Sequence, residues 1–264
     1  MKICVCAKQV PDTNEVRIDP VKGTLIREGV PSILNPDDAN ALEAALQLKD
    51  EYKDTTISVI SMGPPQATYM LRECLAMGAD EAVLLSDRAF GGADTCATST
   101  TIAAGIKMLG DVDIIFGGRQ AIDGDTAQVG PQIAEHLGIP QVSYCEELKV
   151  EGDKFIARRQ FEDRYHIIEI KPPCLITTLS EEIDPRYMTV GGIFDAYQKE
   201  MKVWGLKDIE DKLDLSNIGL KGSPTNVKKS FTKQAKGKGV KLEGLTPEEA
   251  ADAILAKLQE KYFI

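Results

Sequence analysis

The sequence contains no C-x-x-C pair and only two histidines in 264 residues. Without clustered thiols or imidazoles, neither a zinc site nor a cysteine-held iron–sulfur cluster is indicated, and no metal ligands are assigned. Its six cysteines (Cys4, Cys6, Cys74, Cys96, Cys145, Cys174) stand mostly within apolar segments, where reduced core thiols are expected. Cys4 and Cys6, two apart, should share one face of a strand. Basic charge is also in deficit: 31 Lys and Arg stand against 41 Asp and Glu, a net charge of −10. Phosphate contacts need a basic face, so nucleic acid is excluded as a partner. No apolar run approaches the ~20 residues that span a bilayer. MKICVCAKQV is too short and too charged for the centre of a signal peptide, so a cytoplasmic protein without a membrane span is expected. There is no G-x-G-x-x-G after the first strand and no Walker sequence, which removes the standard dinucleotide fold and a phosphate-cleaving P-loop.

What is present reads as an α/β protein. A composition of 43% hydrophobic and 27% charged residues can bury a sizeable core. Residues 2–8 predict a buried strand, and 13–29 a small hairpin excursion around Asp19–Gly23. Asn35-Pro36-Asp37-Asp38 then opens a helix: Asn35 can cap, Pro36 suits the first turn, and the two acids favour the positive end of the dipole. Strands at 55–63, 81–87 and 112–118 alternate with helices at 65–78, 94–109 and 126–138, with Pro131 near the start of the last. This alternation predicts a Rossmann-like, mostly parallel sheet with helices on both faces. Residues 141–179 read as an antiparallel extension turning at Glu151-Gly152-Asp153 and ending in a buried strand at Cys174–Leu179, followed by a short helix near 192–202. The expected division is a nucleotide-binding domain at 1–204 and a C-terminal arm at 205–264. The arm carries Lys221, Lys228, Lys229, Lys233, Lys236, Lys238 and Lys241, read as a solvated linker, and a capped amphipathic helix from Thr246. That helix cannot bury its face locally, so it is expected to dock on another chain.

The glycine-rich strand-to-helix turn lies at Phe116–Gly130. Glycines there allow close approach, and free N–H groups at the helix start face an anion; the best donors are near Thr126, Gln128 and Val129, helped by the Thr126 hydroxyl. Asp123 and Asp125 would repel phosphate, which assigns them to ribose hydroxyls, adenine amino groups or helix capping. The turns at Ala7–Lys8, Asn35–Asp38 and Met62–Gly63 should converge on the same end of the sheet. The plainer alternative is that Gly-Asp-Thr only turns the chain and caps a helix.

Together, KQVPDTNEVR, NPDDANALEAALQLK, CLAMGAD, GRQAIDGDTAQVGPQIA, ARRQFEDRYHIIEIKPPCLIT and EIDPRYMTVGGIFDA resemble the beta subunit of electron-transferring flavoproteins, over essentially the whole chain and in order. The resemblance implies an adenine-nucleotide-binding, hydrolase-like sheet and a larger alpha subunit whose mobile domain carries FAD. It also implies a ligand in this chain: AMP in the housekeeping branch, a complete second FAD in the bifurcating branch. Carried over position by position, the cofactor contacts are Cys6, Asn35, Pro36, Asp37, Asp38, Met62, Gly118, Arg119, Gln120, Ala121, Ile122, Asp123, Gly124, Asp125, Thr126, Ala127, Gln128 and Val129.

Val10-Pro11-Asp12-Thr13-Asn14 resembles the V-x-x-T-N pattern of bifurcating members, which places Asp12, Thr13 and Asn14 near a flavin ring; the alternative is a plain turn. His166 stands where housekeeping members usually carry an acid, and reads as a packed or surface residue. In the bifurcating branch, NADH reduces the FAD of this subunit. One electron passes to ferredoxin or flavodoxin and the other, through the alpha-subunit FAD, to an acyl-CoA dehydrogenase. No catalytic side chain is implied, because the redox chemistry belongs to the flavin. The alternatives are a housekeeping subunit with structural AMP and, in another class, an ATP- or AMP-binding sensor on the same fold. The resemblance also exposes part of Glu182–Lys199, including Ile183, Tyr187, Met188, Ile193 and Phe194, for the dehydrogenase, although such residues more often lie in a core.

Overall fold

The computed structural model describes residues 1–12, 31–179, 184–228 and 237–264. The chain divides into two units, Met1–Arg17 with Leu25–Lys228, and Ile18–Thr24 with Lys229–Ile264. In the first unit the order is β1 (Lys2–Cys6), β2 (Gln9–Pro11), β3 (Ser32–Leu34), α1 (Pro36–Glu51), β4 (Thr56–Met62), α2 (Ala67–Met77), β5 (Glu81–Leu85), α3 (Thr95–Leu109), β6 (Ile114–Gly118) and α4 (Val129–Leu137). There follow β7 (Gln141–Glu151), β8 (Lys154–Gln160), β9 (Tyr165–Ile170), β10 (Cys174–Thr178), α5 (Val190–Gln198), β11 (Met201–Trp204), α6 (Leu206–Ile209) and α7 (Gly219–Gly222).

One sheet runs β11-β5-β4-β1-β6-β10-β7-β8-β9. From β11 through β7 every pairing is parallel, and β8 and β9 add an antiparallel extension shorter than the 141–179 expected, because β10 lies between β6 and β7 and pairs with both in parallel. Strand alternation sends neighbouring residues to opposite faces. Ile3, Val5, Ile57, Val59 and Phe116 enter a core with α1 and α2, whereas Cys4, Ile60, Val83 and Ile115 enter a core with α3 and α4. Helices thus cover both faces, as the run of strands buried on two sides requires. Cys4 is buried in the second core and Cys6 packs against it, so the two thiols do share a face.

The antiparallel pairing of β2 with β3 turns the chain back on itself; the hairpin expected at 13–29 lies outside the described residues. Gly152, at φ +63, makes the tight link from β7 to β8. The expected helix at 126–138 starts only at Val129, because Asp125 and Ala127 take φ values of +49 and +52 that interrupt it. Pro131 falls in its first turn, where a missing N–H costs nothing.

The arm begins later than expected. Residues 205–228 pack on the first unit: Ile209 and Ile218 are buried, the Leu206 N–H donates to Asp87 at 3.0 Å, and the Thr225 N–H donates to Asp94 at 2.9 Å. In the second unit, α8 (Pro247–Glu260) carries the anticipated capping box between Thr246 and Glu249, and none of its residues is buried. Among the described residues, no helix is long and apolar enough to cross a membrane.

Candidate functional site

The winding of the sheet reverses between β1 and β6, with β4 and β5 on one side and β10 on the other. Open α/β sheets take ligands in the crevice beyond the carboxyl ends of the strands at such a point. A cavity of about 970 Å³ opens there, walled by residues 6–11, 62–67, 90–95 and the loop from β6 to α4.

Of the expected contacts, Cys6, Asp38, Met62, Gly118, Arg119, Gln120, Ala121, Asp123, Gly124, Asp125, Thr126, Ala127, Gln128 and Val129 line this cavity. Asp12, Asn35, Pro36, Asp37 and Ile122 are not among the lining residues; Thr13 and Asn14 lie outside the described residues. Sequence reasoning missed the loop from β5 to α3, including Arg88, Gly91, Gly92, Asp94 and Thr95. Its Gly-Gly-Ala-Asp run before a helix follows the same strand–turn–helix order as the 117–130 loop, and was the available signal.

The Asn35–Asp38 turn works behind the wall. Asn35 is fully buried, donates from Nδ2 to the Gln120 carbonyl at 2.8 Å and accepts from the Ile122 N–H at 3.1 Å. It makes no side-chain cap on α1, so the capping role expected for it is replaced by bracing the loop. Asp37 accepts from the Gln120 N–H at 3.3 Å and lies 3.4 Å from Arg119 Nε, an ionic contact without hydrogen-bond alignment. Asp38 accepts from the Lys8 N–H at 2.8 Å and the Gly118 N–H at 2.9 Å, joining the exits of β1 and β6. Burial pushes its carboxyl up to about 7, against the lowering effect of those hydrogen bonds.

Gly118 lines the cavity, but the space its missing Cβ leaves is not on the cavity side. Instead it admits α1: a Cβ there would lie 2.6 Å from the Asp37 backbone. Gly124 faces open space, with nothing within 4 Å of an added Cβ. Asp123 accepts from Lys8 Nζ at 2.6 Å and Asp125 from Gln120 Nε2 at 3.0 Å. Neither caps α4, whose N-cap position is Gln128, so the capping option for these acids is withdrawn. Among the described residues no acceptor meets the N–H groups of Thr126, Ala127, Gln128 or Val129. Helix-start amides without partners, reached through left-handed backbone, form a cradle for an anion.

Cys6 is the one thiol facing this cavity among the expected contacts. Its hydrogen bond with Cys4 and its burial hold its pKa well above the ordinary value, so it is a neutral group and not a thiolate nucleophile. His166, on β9, is exposed and rests against the Phe161 ring with centroids 4.4 Å apart.

Away from the cavity, the segment expected to face a partner is exposed. Tyr187 is 96% exposed and Phe194 70%, with Met188 and Ile193 partly so; Glu182 and Ile183 lie outside the described residues.

A doubly wound, mostly parallel sheet with a cavity at its reversal point defines an α/β protein of the type that takes ligands beyond the carboxyl ends of its strands. The particular family follows from comparison: the electron transfer flavoprotein domain matches residues 22–209, and the chain belongs to that family. It is 61% identical over 264 residues, the whole of both chains, to the caffeyl-CoA reductase-Etf complex subunit CarD of Acetobacterium woodii. It is 63% identical over 264 residues, again the whole of both, to the electron transfer flavoprotein subunit beta of Clostridium acetobutylicum. A third relative, 51% identical over 270 residues and matched over its full length, is the acryloyl-CoA reductase electron transfer subunit gamma of Anaerotignum propionicum.

Proposed function

We propose that this chain is the beta subunit of a bifurcating electron transfer flavoprotein, and that its cavity holds FAD. The observation that carries this reading is the cavity at the β1/β6 reversal, where unpartnered amides at Thr126–Val129 meet a space of about 970 Å³, at the upper end of the range for small-molecule and cofactor sites. In this reading the amides of the 126–129 cradle take the pyrophosphate, Gly124 leaves room for it, and the Lys8–Asp123 pair screens the neighbouring carboxylates from it. Cys6, Met62 and Asp38 hold the adenosine end, with Asn35 fixing the loop from behind. When bound, the flavin supplies the redox chemistry: hydride acceptance from NADH, then one-electron delivery to ferredoxin or flavodoxin and, through the FAD of an alpha subunit, to an acyl-CoA dehydrogenase. The names of two relatives, which belong to caffeyl-CoA and acryloyl-CoA reductase systems, support an acyl-CoA reductase as acceptor. The exposed edge from Tyr187 to Tyr197 is the surface we assign to that reductase, and the arm carrying α8 is assigned to the alpha subunit.

Cofactor extraction from the purified heterodimer tests the reading. Two flavins per heterodimer are expected. One flavin with one AMP sinks the FAD assignment in favour of a housekeeping subunit.

A further inference from the structure

Exposed aromatics bind well only when they are ordered before contact, since immobilising them on docking costs affinity. The edge that includes Tyr187, Val190, Phe194 and Tyr197 is strongly exposed, yet it is fastened at both ends by arginines. At the first end, Arg186 donates from Nε to Glu43 Oε2 at 2.8 Å and from Nη2 to Glu43 Oε1 at 2.9 Å. Its backbone N–H adds a third bond to Glu43 at 3.1 Å, and Nη2 also reaches Asp50 at 2.8 Å. Glu43 is itself buried on α1, so this fork anchors the residue next to Tyr187 to the body of the protein.

At the second end, Arg72 of α2 donates to the carbonyls of Ala196 and Lys199, the latter at 2.7 Å, satisfying the last turn of α5. Its guanidinium also lies 5.5 Å from the centre of the Tyr197 ring. Between the two, a Cβ on Gly192 would come 2.3 Å from the Ala76 carbonyl, so α5 rests on α2 without room to slide.

Arg186 is only partly exposed and Glu43 is buried, so desolvation offsets much of the attraction between them and the clamp adds little net stability. What it does supply is a fixed geometry. We propose that Arg186 and Arg72 are positioning residues that hold the Tyr187–Tyr197 edge in its docking pose for the acyl-CoA reductase, an inference that rests on the docking reading above.

The test uses the full chain with its alpha subunit, as wild type, Arg186→Lys, Arg72→Lys and the double variant. Lysine keeps the charge beside Glu43, which protects folding, but loses the fork. Met188→Glu serves as a control on the surface itself. Caffeyl-CoA reductase is the acceptor, because a 61% identical relative is a subunit of its complex. In the double variant, hydrogen exchange over residues 187–198 should rise about tenfold and KM for the acceptor about tenfold, with kcat and cofactor content unchanged. Unchanged exchange overturns the proposal. Faster exchange with unchanged KM also overturns it, provided that Met188→Glu still raises KM; the docking reading then survives. An acceptor that wild type and Met188→Glu use equally, or not at all, removes the docking reading and the inference with it.

Discussion

Asp38 accepts two backbone N–H groups at the point where β1 and β6 end, and it does so while buried. With its folded pKa raised to about 7 from an ordinary 3.8, it binds a proton more readily when folded than when unfolded. Its favourable linkage is therefore complete below about pH 4 and is lost as pH rises through about 7. Urea denaturation of wild type and Asp38→Asn at pH 5 and pH 8 isolates this effect. The variant should be less stable at pH 5 by about 1–3 kcal/mol, since an amide offers one acceptor for two donors. The difference should shrink at pH 8, because only wild type carries the Asp38 contribution that is lost over that interval. A constant difference would show that Asp38 does not titrate there.

At the scale of the element, the β6–α4 loop is braced by the start of α1. Gly118→Ala must displace the start of α1 and should lower stability by about 1–3 kcal/mol. Gly124→Ala points into open space and should change stability by less than about 0.5 kcal/mol. Thermal melts of the two variants separate a glycine needed for packing from one needed for room. Much of this element was legible in the residues. The glycine-rich strand-to-helix order pointed to this loop, and most of the expected contacts line the cavity. The task of Asn35 was not legible, because a cap is local whereas its partners lie 85 and 87 positions away. Nothing in a short window distinguishes the two uses of the same amide. The delayed start of α4 was hidden for a related reason: Asp and Ala rarely signal positive φ.

For the whole molecule, periodicity was enough to indicate a mostly parallel sheet with helices on both faces, though not its strand order, since strands buried on both faces and amphipathic helices carry distinct patterns. It failed at 205–228, where isolated apolar residues such as Ile209 and Ile218 fill the core without forming a repeat. Two truncations check the boundary. A chain ending at Trp204 loses both isoleucines, each worth about 1.5–3 kcal/mol of burial, and should fail to fold stably. One ending at Lys228 should keep the melting temperature of the first unit but no longer assemble with the alpha subunit. Gel filtration and calorimetry distinguish these outcomes, and normal assembly of the shorter chains would refute the assignment of the arm.

The arm has a consequence for how the protein must be produced. Ile254, Leu255, Tyr262, Phe263 and Ile264 are all more than two-fifths exposed. An uncovered apolar end of this kind invites aggregation and chaperone capture. With the arm assigned to the alpha subunit, copies made in excess of that subunit are expected to be degraded faster than paired ones, which pulse-chase with and without the alpha subunit checks.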